Sequence, residues 1–262
     1  MTNDVPGRPD QGKRPTKAER KDQARREREE LQQKLASKKR ARRVGIVVGV
    51  LVLAAVIVGV TLLPSGGDVE GADALLGRAA AAAEQSGCTD VTTTPPFDPE
   101  ENDRSHLSTG EVGPPLSAYP TIPPASGPHA DVPLPAGVYD SLTLPQLYQT
   151  THSLEHGATI VWYDPSAPAD RIDQLIAFYD RRLQDAQVGQ DRVIVAPFDF
   201  PDDPDGLLPE GTQMALTAWH RLRTCAQVDL AVAFDFTSQY SFPTSAGRDY
   251  QGDAPEPGAS IG

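Results

Sequence analysis

Twenty consecutive uncharged residues, Val44 to Leu63 (VGIVVGVLVLAAVIVGVTLL), constrain this chain more than any other feature. At about 1.5 Å per residue, such a helix spans roughly 30 Å, the thickness of a bilayer hydrocarbon core. A cleaved signal peptide carries an apolar stretch of only about 7–15 residues before a small-residue cleavage site. Here 43 residues precede the run, and Leu62-Leu63-Pro64-Ser65 offers no such site. A core helix has no need to be apolar on every face. The run reads as a retained single-pass anchor whose partner is the lipid bilayer. The basic stretch Lys38-Lys39-Arg40-Ala41-Arg42-Arg43 keeps its N-terminal side in the cytoplasm and places the rest of the chain outside the membrane.

Charge divides along the same line. The net −12 of the 262 residues averages an arm of +8 (1–43) and an exported part of −20 (64–262) that contains no Lys. The arm has strong helix formers but only Leu31 and Leu35 as large aliphatics. It reads as part disordered and part solvated helix, drawn to anionic head groups. Tethering at the membrane argues against nucleic acid as a partner.

Beyond the anchor, 64–87 is Ala-rich and reads as a stalk helix. Residues 95–145 hold 12 prolines, a density that no helix or central strand tolerates. Tyr119 and Tyr139 favour a wrapping segment over a free linker. Ala158–Tyr163 and Asp191–Pro197 read as strands, and Met214–Cys225 as a third. Asp170–Gln187 has Ile172, Leu175, Ile176, Tyr179 and Leu183 at helical spacing after Pro168. Val228–Tyr240 reads as a closing helix. The expected fold class is α+β: a transmembrane helix, then a small exported domain (88–241) with a mixed sheet and two packed helices, preceded by the Pro-rich wrapping segment. The tail, 242–262, loses its periodicity and is expected to be disordered.

Cys88 and Cys225 are the only cysteines. Outside the cytoplasm a disulfide between them forms and persists, whereas thiolate metal ligation needs a reducing compartment. The compartment favours the disulfide.

All five histidines also lie beyond the anchor. The densest group is Thr151-His152-Ser153-Leu154-Glu155-His156-Gly157. On a helix, His152 and His156 share one face about 5–6 Å apart and suit one ion; on a strand they stand roughly 13 Å apart and do not. Chelation therefore requires a helical turn ending at Gly157, a good C-cap residue. The same residues match the H-x-x-E-H pattern of inverzincin metallopeptidases, but they run straight into a strand instead of continuing an active-site helix. In Pro123-Pro124-Ala125-Ser126-Gly127-Pro128-His129, the choice lies between a rigid turn with an ordinary histidine and a loop that aims His129 at a site.

His106-Leu107, the PPASGPH loop, Gly137-Val138-Tyr139, HSLEHG and Ala215-Leu216-Thr217-Ala218-Trp219 occur in this order. The set resembles the bacterial proteins grouped as domain of unknown function 3105, over roughly residues 85–240. The resemblance implies a charged arm, one membrane helix and an exported domain, without a reaction. It singles out His106, His129, His152, Glu155 and His156, leaving His220 aside.

Three or four histidines with a carboxylate suit a divalent transition metal such as zinc or copper. The leading expectation is a membrane-tethered domain that binds such an ion. The alternatives are a non-catalytic scaffold with an envelope protein partner, its histidines forming a hydrogen-bond network, and an inverzincin-like hydrolase. No residue is assigned a catalytic role.

Overall fold

The computed structural model describes residues 70–108, 110–185 and 192–261. The expected cytoplasmic arm and membrane span lie outside these residues. Among the described residues no helix is long and apolar enough to cross a membrane.

The described residues form four helices: α1 (Ala72–Gln85), α2 (Leu144–Glu155), α3 (Ala169–Gln184) and α4 (Leu230–Tyr240). The strands are β1 (Thr92–Thr93), β2 (His106–Leu107), β3 (His129–Ala130), β4 (Gly137–Val138), β5 (Thr159–Tyr163), β6 (Val193–Pro197), β7 (Met214–Ala218) and β8 (Arg221–Cys225). Six of them form a mixed sheet in the order β1-β8-β7-β5-β6-β4. Strand β5 is parallel to β6 and antiparallel to β7. Its residues are all buried, as befits a central strand covered on both faces. The class is α+β; the Ala-rich helix and two packed helices were expected, and α2 is additional.

Side chains alternate across the sheet. Val161, Tyr163, Val193, Val195, Met214 and Leu216 join a core with Leu75 of α1, Leu175 and Phe178 of α3, and Phe234 of α4. Asp229 caps α4 by accepting from the Ala231 and Val232 amides. It also pairs with Arg78 of α1 and Arg171 of α3, so one carboxylate ties three helices. On the opposite face Ile160, Trp162, Ile194, Ala196 and Ala215 pack with Leu147 and Leu154 of α2 and with Phe97, Leu116, Tyr119, Leu134 and Leu142 of the Pro-rich segment.

Three local expectations are corrected. The stretch Met214–Cys225 is a hairpin, not one strand, because the chain reverses at Trp219-His220, where His220 adopts φ 53°. The Ala-rich helix is no free stalk: Leu75 is fully buried, and Cys88 just beyond α1 is disulfide-bonded to Cys225. The tail does not fray, because its amides find partners. Those of Glu256 and Gly258 donate to the Glu155 and His156 carbonyls, and Arg192 reaches back to the Gly258 and Ala259 carbonyls.

Candidate metal centre

Three segments meet at the C-terminal end of α2. The helix starts after Thr143, whose amide donates to Gln146 Oε1 at 2.9 Å, and carries Pro145 in its first turn. It ends at Glu155, with Gly157 following at φ +88°. A side chain there would meet Phe242 Cβ at 2.9 Å, so glycine alone fits both the conformation and the space. The helical condition for His152 and His156 to share an ion is thereby met.

The second and third segments are joined by a parallel two-strand ladder in which His106 is paired with His129. The PPASGPH loop delivers His129 by way of Gly127. At φ +117°, a Cβ on Gly127 would lie 2.8 Å from the Tyr119 ring and 3.0 Å from Phe97. The Gly127 carbonyl accepts from His129 Nδ1 at 2.7 Å. His129 is fully buried, so the loop aims this histidine inward.

The rings of His106, His129 and His152 form a triangle with centroids 4.7, 4.9 and 4.9 Å apart. Trp219 closes one side, edge-on to His129. One donor atom from each of His106, His129, His152 and Glu155 lies within 4.8 Å of all the others. Glu155 Oε2 stands 3.0 Å from His129 Nε2 and 3.9 Å from His106 Nε2, while Oε1 pairs with Arg104.

The hydrogen bonds fix which nitrogens face inward. His152 Nδ1 donates to the Ala130 carbonyl at 2.6 Å, and His156 Nδ1 to the Ser260 carbonyl at 2.7 Å. A carbonyl only accepts, so these Nδ1 atoms and that of His129 carry hydrogens. The Nε2 atoms are then the ones turned toward the cluster. His129 Nε2 is buried against Glu155 Oε2, and the Nε2 atoms of His152 and His156 face each other at 3.0 Å. Metal-bound histidines have this arrangement, one nitrogen held by a carbonyl and the other left for the ion.

Electrostatics agree. Burial, reinforced by the neighbouring His129, His156 and His106, pushes His152 down to about 4, so it is neutral at pH 7. Burial would raise Glu155, but His129 and Arg104 beside it outweigh this and bring it down to about 2. A neutral His152 and an ionised Glu155 are the states that bind metal.

Of the residues singled out from sequence, His106, His129, His152 and Glu155 make up the group. His156 touches it through His152. Its position outside the group, with Glu155 among the donors, differs from the inverzincin pattern, in which the two histidines hold the ion and the glutamate activates water. His220 lies apart, paired with Asp103 at 2.8 Å. Sequence reasoning missed Arg104 and Glu256. Arg104 is one of only 9 basic residues beyond the anchor and stands two positions before His106, which was the available signal. Glu256 had none.

The domain is thus an α+β unit whose chemistry is concentrated in one His/Glu cluster. The family model described as "Protein of unknown function (DUF3105)" matches residues 116–259, and the chain belongs to that family. The match includes His129, His152, Glu155, His156 and the C-terminal strap with Glu256, while His106 precedes it. No curated protein and no solved structure matches the chain.

Proposed function

We propose that this protein is a membrane-tethered, extracytoplasmic metal-binding protein that holds one transition-metal ion, zinc or copper, on His106, His129, His152 and Glu155. The observation that carries the reading is the commitment of Nδ1 to backbone carbonyls. It turns the Nε2 atoms of His129 and His152 inward, His129 Nε2 to within 3.0 Å of the ionised Glu155 carboxylate. A donor set of imidazole nitrogens and one carboxylate oxygen suits zinc and copper. Donors 3.0 Å apart, as His129 and Glu155 are, can both reach one ion at bond lengths of about 2.0–2.1 Å. The uncharged run 44–63, the basic residues before it and the Cys88–Cys225 disulfide support an anchored domain facing an oxidising compartment.

A second reading keeps the cluster as a purely structural network in an envelope scaffold that docks a protein partner. The ion pair between Arg104 and Glu155 favours it, because it already neutralises the buried carboxylate. Elemental analysis of the full chain, purified in detergent without chelator, separates the two. The metal reading expects about one equivalent of ion in the native chain and loss of nearly all of it in His129→Ala/His152→Ala. Negligible metal in both, even after incubation with zinc or copper, leaves only the network.

A further inference from the structure

The donors around the triangle grade from enclosed to open. His129 and Glu155 are 0% and 1% exposed, while the side chain of Glu256 on the C-terminal strap is 50% exposed. His156 lies between them, its Nε2 3.0 Å from His152 Nε2 and 3.8 Å from Glu256 Oε2. The sequence Glu256, His156, His152 is therefore a ladder of donors leading from solvent to the four-residue site, in steps short enough for an ion to hold two of them at once. Adopting the metal reading above, we propose that His156 and Glu256 are transient ligands that pass a divalent cation into and out of the site, so that the bound metal is cargo for transfer.

Three features argue for exchange. The Nε2 atoms of His152 and His156 face each other at 3.0 Å, close enough for both to bond one ion. His156 is therefore a nitrogen donor that the inner group leaves unused. Glu256 also has a resting place when it is not on the ion: its Oε1 accepts from Arg104 Nη2 at 2.7 Å, and the same guanidinium holds Glu155. Finally, the strap that carries Glu256 is built onto the site. The Ser260 carbonyl holds His156 Nδ1, and Arg192 grips the strap's carbonyls together with the His156 carbonyl at 2.8 Å. Loss of a residue that merely supported a resident ion would weaken affinity about 10–100-fold. Loss of an exchange ligand slows both directions alike and leaves the equilibrium in place.

The test uses the full chain in detergent with zinc and a chromophoric chelator, measuring loading rate, release rate and Kd separately for the native chain, Glu256→Gln and His156→Ala. Both variants should slow loading and release by about tenfold or more, with Kd changed less than about threefold. Glu256→Gln removes only an exposed charge and keeps the shape, so it stays informative if His156→Ala misfolds. Unchanged rates would overturn the proposal. So would faster release with a matching loss of affinity, which would make the pair resident ligands. A native chain that takes up no zinc fails the metal-site reading itself; one that binds zinc with rates indifferent to Glu256 fails only this inference.

Discussion

On one face of the sheet, Val161, Val195 and Leu216 meet three helices whose apolar stripes recur with the helical period. On the other, Ile160, Trp162 and Ile194 meet α2 and a chain rich in proline. Proline removes backbone donors, so ladders from this segment are only two residues long. Side chains supply the rest. Asp103 accepts from the Phe97 amide and the Ser126 hydroxyl, Tyr148 donates to the Pro114 carbonyl, and Ser153 to the Leu134 carbonyl. The first face is held by apolar area, which forgives exchanges of similar volume. The second is held by individual polar contacts, which do not. The His/Glu cluster belongs to the second face, where buried polar groups are already the structural currency.

The largest effect sharpening this contrast is expected at the disulfide. Cys225 belongs to the helical core, and the bridge to Cys88 spans 137 residues. The chain-entropy model gives up to about 4–5 kcal/mol for so long a loop. Cys88→Ser/Cys225→Ser should lose most of that in urea unfolding, while the proposed metal site keeps its stoichiometry at temperatures where the variant stays folded. Loss of metal from the folded variant would mean that the two faces are not separable.

A smaller effect, confined to the Pro-rich face, is expected from Gly127→Ala. The left-handed backbone and the close Tyr119 and Phe97 rings together cost about 2–3 kcal/mol. Because Gly127 also supplies the carbonyl that orients His129, metal stoichiometry should fall with stability. Gly211→Ala is the matched control: its φ is +79° but the space around it is open, so only conformational strain of roughly 1 kcal/mol remains. Equal losses in the two variants would remove packing from the account.

What was legible in the sequence follows the same divide. Strand β5, strand β6 and helices α3 and α4 were readable because their apolar residues recur at fixed short spacing. Of the five residues proposed as metal ligands, four come together: two are neighbours on one helix, His129 ends a Pro- and Gly-rich loop, and His106 was singled out by the family resemblance alone. The hairpin reversal at Trp219-His220 was hidden, since histidine marks a left-handed residue far less strongly than glycine does. Arg104 and Glu256 were hidden for a different reason. Their partners lie 51 and 152 positions away along the chain, and no periodicity reports a contact at that range. For the same reason the tail read as unstructured, although Glu256 and Gly258 bond to residues 155 and 156.

The smallest expected effect concerns the clasp that fastens the Pro-rich face to the hairpin. His220 donates from Nε2 to Asp103 Oδ2 at 2.8 Å and from Nδ1 to the Thr94 carbonyl at 3.1 Å. Both partners only accept, so the ring is an imidazolium. The Asp103 bond raises His220 above its ordinary value, against the opposing effect of burial, and Asp253 adds to the rise. Burial would lift Asp103, but His220, the Phe97 amide and Ser126 together hold it below the usual carboxylate range. The depressed carboxylate contributes stability above its unfolded pKa of about 4, lost as pH falls through the lower native value. The raised imidazole contributes below its unfolded pKa of about 6.5, lost as pH rises through the higher native value. The clasp is therefore strongest between these limits and weakens on both sides. His220→Asn tests this, because asparagine accepts the left-handed backbone while removing the imidazolium. The native chain should exceed the variant by about 1–2 kcal/mol near pH 5–6, and the margin should shrink as pH is raised past the native value. A helical-face control, Phe234→Leu, should show a deficit that does not vary over the same range, since Phe234 packs in an apolar core. If the His220→Asn deficit is equally flat, the clasp is held by shape and not by charge, and the two faces differ less than their chemistry implies.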